Sequence, residues 1–391
     1  MKFLHTADWH LGKLFFERSI EEDQAYFLQQ LTKLLKQEDY DALVISGDIY
    51  DRAIPPASAC VMLDTFLTEL CTQFPQLHVF IISGNHDSPE RLSYGKHFFE
   101  QHNLHVCTDC KNITVPTIIK DVAFYQLPYL TPGSIQAEGE GLFETKLRSQ
   151  QDLHEEAIKQ IVQSHKKNYP SLSCVLNAHL FAAGSNIGES ERSSVGNSDQ
   201  VDAKIFSFFT YTALGHIHSA QKAGKNAWYA GSPLSYSFDE RSFQKQVLSV
   251  TIEDKVVSVE QKDITPLHAV TTITASFDDM LKSKDFTAYE NDFLRAICTD
   301  SRTIVNPVQL LRTRFPNILS FSYEQIQSES KATSLEERRK LISKNSKKDT
   351  AEIFRAFLKD LYGEESVREN ELRQKEIELY EKFAKDVEAD E

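Results

Sequence analysis

"LVISGDIYDRAIPP", residues 43–56, is the stretch on which the reading of this chain turns. The apolar run Leu43-Val44-Ile45 stops at Ser46-Gly47 and gives way to Asp48, then to Asp51 and Arg52. Burying two acids and a base costs solvation energy. Either the stretch is a solvated turn, or a buried strand delivers charged groups to a cation and a phosphate. Pro55-Pro56 close the loop, because proline cannot continue a central strand.

Other apolar runs end in the same way. His5-Thr6-Ala7-Asp8-Trp9-His10 follows Phe3-Leu4, and Ser83-Gly84-Asn85-His86-Asp87 follows Val79-Phe80-Ile81-Ile82. Asn177-Ala178-His179 follows Cys174-Val175-Leu176, and Gly215-His216-Ile217-His218 follows Ala213-Leu214. Any one of these blocks alone is a weak signal, but five strand ends each carrying metal-type ligands are not. In open α/β sheets the crevice at the carboxyl ends of the strands is where ligands bind. Carboxylate, amide oxygen and imidazole together suit manganese, iron or zinc, whereas calcium takes oxygen alone. The set is too large for one ion and suits two ions that share a carboxylate.

Between the first three strands lie helical patterns, with Leu28, Leu31 and Leu35 on one face of the first and Leu63, Leu67 and Leu70 on one face of the second. Strand–helix alternation predicts a layered α/β domain over residues 1–265. Residues 266–326 alternate strand-like runs with short helical candidates and predict a small α+β unit. Residues 327–348 form a basic linker containing Arg338, Arg339, Lys340, Lys344, Lys347 and Lys348. Residues 349–391 predict a tail of two amphipathic helices, the first carrying Ile353, Phe354, Phe357, Leu358 and Leu361. Their apolar faces have too little core to stand alone and must bury against something.

Composition narrows the function. With 391 residues the chain is long enough for two to three domains, and 41% hydrophobic residues allow a sizeable core. The net charge, 43 − 57 = −14, disfavours passive adhesion to nucleic acid or an anionic membrane. A phosphate-bearing substrate then needs local help from a metal, from a partner, or from basic residues beside the motifs such as Lys13, Arg18, Arg52, Arg91 and Lys96. Six irregularly spaced cysteines, including the pair Cys107 and Cys110, fit a reducing compartment. No run approaches the roughly 18 apolar residues of a membrane span, and Asp8 interrupts any signal-like start. A cytoplasmic location and no membrane partner are expected.

The blocks D-x-H, G-D, G-N-H-D, a lone histidine and G-H-x-H resemble those of the calcineurin-like metallophosphoesterase superfamily. Within it, "LHTADWHLGK", "VISGDIYDR", "SGNHDSPERL", "ALGHIHSAQ" and "YAGSPLSYSFDE" are similar to the nuclease subunits of bacterial SbcCD-type complexes. The last block lies outside the ligand set, so general phosphoesterase chemistry does not account for it. The resemblance implies a layered metallophosphoesterase β-sandwich flanked by helices, with residues 266–326 as a capping domain beside the active site. It implies two divalent ions, Mn(2+) foremost. Asp8, His10, Asp48 and His218 would hold one, and Asp48, Asn85, His179 and His216 the other, with Asp48 bridging. It implies that His86 is not a ligand but steadies charge on the phosphate or protonates the leaving oxygen.

In the phosphatase branch the acid three residues after the bridging aspartate pairs with that histidine and the next arginine binds phosphate, which gives an expected Asp51–His86 pair and a phosphate-binding Arg52. The archaeal nucleases carry a histidine where this chain has Asp51. The alternative for Asp51 is a solvated turn acid. The implied activity is a DNA exonuclease and single-strand or hairpin endonuclease in repair and recombination. The implied partners are an SbcC-type, SMC-like ATPase gripped by the tail helices and a second copy of the chain docked through helices near residues 57–103, giving a homodimer within a heterotetramer. The rival reading is a stand-alone phosphoesterase acting on small molecules or phosphoproteins.

Overall fold

The computed structural model describes residues 1–131, 149–185, 200–242 and 244–324, with Lys375, Leu379 and Tyr380. The chain divides into two compact units, Met1–Ser322 and Tyr323–Glu391. The expected basic linker and helical tail lie outside the described residues, apart from those three positions.

Two six-stranded sheets organise the first unit. In the first, Lys2–Thr6, Ala42–Ile45, His78–Ile82 and Leu104–Cys107 run parallel, and Gln246–Glu253 and Val256–Asp263 add an antiparallel edge. The second centres on three parallel strands, Val122–Leu127, Ser173–His179 and Tyr211–Gly215. The short strand Ala227–Tyr229 pairs parallel to Tyr211–Gly215 on its other side. Phe3, Val44, Phe80, Phe124, Val175, Tyr211 and Val250 fill the space between the sheets and are fully buried or nearly so. Parallel strands covered on both faces read as unbroken apolar runs. That is why these strands stand out in the sequence as runs and not as alternation.

Helices cover the outer faces. On the first sheet, helix Glu21–Gln37 buries Leu28, Leu31 and Leu35 as its spacing predicts. The seam of helix Ala57–Gln73 is Ala59, Leu63, Phe66 and Leu70. Leu67 packs against that core only at its edge, half-buried, and Phe66 takes a fully buried place that the expected Leu63, Leu67, Leu70 face did not include. Phe66 completes a better i, i+3, i+7 seam against the sheet. On the second sheet, helix Gln150–Asn168 buries Leu153, Ala157, Ile158 and Ile161. The result is a four-layer α/β/β/α sandwich, the layered arrangement that the sequence resemblance implies. Among the described residues no helix is long and apolar enough to cross a membrane.

Residues 270–323 form a three-stranded sheet, Val270–Ala275, Phe293–Cys298 and Ile318–Tyr323, with its own core of Ile273, Phe277, Met280, Leu294, Leu311 and Phe315. It is tied to the sandwich. The Asp23 carboxylate accepts from the backbone N–H of His268 at 2.9 Å and lies 2.9 Å from its ring Nδ1. Phe293 packs edge-on against Phe15, ring centroids 5.8 Å apart.

Candidate metal centre

Both sheets deliver side chains to one rim. Asp8 and His10 follow the first strand, Asp48 follows Ala42–Ile45, and Asn85 and His86 follow His78–Ile82. His179 ends Ser173–His179, and His216 and His218 follow Tyr211–Gly215. Parallel strands in register bring their carboxyl ends to the same level, so ligands distant in sequence meet. The turns are held in left-handed backbone: φ is 55° at Asp8, 45° at His10, 50° at Asp48 and 104° at His216. Non-glycine residues rarely adopt such angles, and they persist where surrounding structure over-determines them, often at functional sites.

The seven expected ligands converge. His10 Nε2 lies 3.2 Å from His218 Nε2. Asn85 Oδ1 lies 3.0 Å from His179 Nε2 and 2.9 Å from His216 Nδ1. Asp48 Oδ2 stands between these two groups, 3.7 Å from His10 Nε2 and 3.5 Å from His179 Nε2. Asp8, His10 and His218 form one close cluster, and Asp8, Asp48 and His179 another. A third close cluster joins His10, Asp48 and His86, so the half-buried His86 sits at the edge of the same space.

The donor set fits divalent cations. Asp8 and Asp48 are almost wholly buried. Burial lowers the pKa of His10 well below the ordinary value, lowers that of His179, and brings that of His216 down to about 3. The neighbouring His218 adds to the effect on His10, and His179 to that on His216. The rings are therefore neutral at physiological pH, the form in which imidazole binds metal. Two carboxylates buried among neutral imidazoles suit a divalent cation held between them.

Outer contacts fix the rings. His179 Nδ1 donates to the Ser46 carbonyl at 2.7 Å, which turns Nε2 inward. His218 Nδ1 meets Glu240 Oε1 at 3.1 Å, and Lys245 Nζ holds the other oxygen of that fully buried carboxylate at 2.9 Å. Glu240 closes the block "YAGSPLSYSFDE", which now has a physical role. Its acidic residue is visible in the sequence, but its partner is 22 residues away and is not. Asp87 is a second residue that sequence reasoning missed. Its buried carboxylate accepts from the N–H groups of Ile49, Tyr50 and Gly84 at 3.1, 2.9 and 2.9 Å, stitching two ligand loops together. Burial, reinforced by the nearby Asp48, pushes its carboxyl up to about 7.

The expected Asp51–His86 pair takes a different form. His86 Nδ1 meets the backbone carbonyl of Asp51 at 2.8 Å. The Asp51 carboxylate turns instead to Lys13 Nζ at 2.6 Å and stands 3.7 Å from His10 Nδ1, a buried nitrogen that lacks a hydrogen-bond partner. A lysine ammonium beside the carboxylate outcompetes an imidazole for it. Lys13 is thus engaged inside the site, and Lys96 is paired with Asp109 at 3.1 Å. Arg52 is exposed, one residue beyond Asp51.

Residues 1–220 match the family described as calcineurin-like phosphoesterase. Among solved structures, the chain is similar to the nuclease MPE of Pseudomonas putida at 22% identity, covering 31% of this chain and 51% of that one, with a TM-score of 0.20. The chain thus spans about half the length of that nuclease. It is also similar to a dimetal phosphatase from Danio rerio at 12% identity, covering 69% of this chain and 98% of that one, with a TM-score of 0.39.

Proposed function

Because this chain belongs to the calcineurin-like phosphoesterase family, and is therefore a metal-dependent phosphoester hydrolase, we propose that its substrate is DNA and that it is the nuclease subunit of an SbcCD-type complex. The observation that carries the finer reading is the block ending in Glu240. It is the part of the sequence that resembles the nuclease subgroup without belonging to the ligand set, and it is the part that holds His218.

In this reading Asp8, His10, Asp48 and His218 would hold one divalent ion, and Asp48, Asn85, His179 and His216 another. Bound there, a pair of divalent ions, Mn(2+) foremost, would supply charge neutralisation for the phosphate and an activated water. His86, with Nδ1 fixed by the Asp51 carbonyl, offers Nε2 to the phosphate or to the leaving oxygen, and serves as an acid when that nitrogen is protonated. Arg52 at the exposed rim is the phosphate contact. Tail residues 349–391 bind the SMC-like ATPase. A second copy docks along helix Ala57–Gln73, where a groove of about 940 Å³ lined by Leu63, Leu67, Leu92 and Phe98 supports an apolar contact.

One observation favours a stand-alone phosphoesterase: the net charge of −14 opposes binding to a polyanion. The deciding experiment gives the purified chain Mn(2+) with linear duplex DNA, with and without its ATPase partner, beside a small aryl phosphate monoester. Degradation of DNA that is faster with the ATPase supports the nuclease. Turnover of the monoester with intact DNA in both conditions overturns it in favour of the rival.

A further inference from the structure

The loop from Leu234 to Glu240 touches the candidate metal centre and the three-stranded unit by alternate residues. The Tyr236 ring packs edge-on against two of the ligand rings, its centroid 5.3 Å from that of His10 and 5.4 Å from that of His218, and its hydroxyl donates to the Trp9 carbonyl. Glu240 fixes His218 Nδ1, and its other oxygen also accepts from the Tyr236 backbone N–H at 3.2 Å. Between them, Phe238 is turned the other way. It is buried against Phe15 and Phe16, with centroids 5.4 and 5.2 Å away. The Arg295 guanidinium of the three-stranded unit lies 4.9 Å from the centre of its ring. Arg295 sits two residues from Phe293 on the strand Phe293–Cys298, so both share the face turned to the sandwich. Residues 238–242 are wound as a single 3-10 turn, which ties the backbone of Phe238 to that of Glu240.

We propose that Phe238, clamped under Arg295, is a positioning residue for His218, so that the grip on the ion nearest His218 depends on where the three-stranded unit sits. The chain of contacts runs Arg295–Phe238–Glu240–His218, and each link is a cation–π contact, a turn, or a hydrogen bond already described. Lys245 stiffens the last link, because its ammonium bonds both the Glu240 carboxylate and Ser232 Oγ at 2.9 Å. A substrate that displaces the unit would therefore change metal affinity without touching a ligand.

The inference rests on the two-ion reading, and the test separates the two. The full chain is titrated with Mn(2+) and the binding followed by electron paramagnetic resonance, for wild type, Arg295→Ala, Glu240→Gln and Thr272→Val. Thr272 Oγ1 accepts from Arg295 Nε at 3.2 Å, so its loss frees the guanidinium on one side while leaving it over Phe238, and Thr272→Val reads a partial loosening of the clamp. The expected result is about a tenfold weaker affinity for one ion in both Arg295→Ala and Glu240→Gln, a smaller weakening of the same ion in Thr272→Val, and the other ion unchanged in all three. An Arg295→Ala protein that binds both ions as wild type does, or loosens both equally, overturns the positioning role. A wild type that binds no pair of ions overturns the two-ion reading and this inference with it. Phe238→Leu is the second variant, expected to reproduce Arg295→Ala, with Phe238→Tyr restoring wild-type affinity.

Discussion

His86 meets Asp51 through the backbone, Nδ1 to carbonyl oxygen at 2.8 Å, and the Asp51 side chain faces Lys13 instead. The two groups that a phosphatase-like dyad would join are therefore separable by mutation. Asp51→Asn leaves the carbonyl in place, so it should preserve any limb of the pH–rate profile that depends on His86. It strands the Lys13 ammonium near His10, and should weaken metal binding by about tenfold. His86→Ala should do the opposite, leaving metal affinity near wild type while lowering kcat by about 100-fold or more. A pH profile altered alike in both variants would show that the carboxylate acts on His86 after all.

Asp48 has two jobs in this geometry. Oδ2 lies between the two ligand groups, and Oδ1 accepts from the His86 backbone N–H at 2.9 Å. Asp48→Ala should abolish turnover and reduce bound Mn(2+) from two ions to one at most, read by calorimetric titration. The melting temperature of the metal-free protein should fall little, because the lost hydrogen bond is offset by removing a buried carboxylate. Appreciable activity in excess Mn(2+) would refute the bridging role.

Much of the fold was legible because its central strands are covered on both faces. Leu43-Val44-Ile45 and Cys174-Val175-Leu176 read as apolar runs, and each ended where a ligand was expected. The partition of helix faces was less legible. Phe66 and Leu67 are adjacent and both apolar, and only the sheet beneath decides which is buried. Contacts outside the ligand set were not legible at all. Glu240 is separated from His218 by 22 positions and Lys13 from Asp51 by 38, and pattern alone does not pair charges over such distances.

His5 is a buried imidazole away from the ligand set, its Nδ1 2.9 Å from the Tyr211 hydroxyl. Burial lowers its pKa to about 3. The unfolded chain takes up a proton near pH 6.5 and the folded chain does not, so the stability His5 contributes is present above that pH. It is lost as the pH falls toward about 3. The metal-free protein should accordingly lose about 1.4 kcal/mol per pH unit from this one group between about pH 6 and 4. Urea unfolding at a series of pH values measures it. His5→Gln should flatten the slope by that amount; an unchanged slope would mean that His5 is protonated in the fold.

The last expectation concerns Gly84, whose place in the G-N-H-D block is set by space. A Cβ there would lie 2.0 Å from Asp48 Oδ1 and 2.4 Å from the Asp48 backbone nitrogen, and only part of that clash is with a movable side chain. Gly84→Ala must push the loop off Asp48, which also strains the Gly84 N–H bond to Asp87. It should destabilise the fold by about 1–3 kcal/mol and remove metal binding together with activity. Gly184→Ala is the comparison, since Gly184 has a φ of +84° but open space around its Cβ position. It should cost only the backbone penalty of about 1–2 kcal/mol and leave metal affinity unchanged. Paired denaturation and Mn(2+) titrations separate the cases. If Gly84→Ala bound metal as tightly as Gly184→Ala, close approach to Asp48 would not be what the glycine is for.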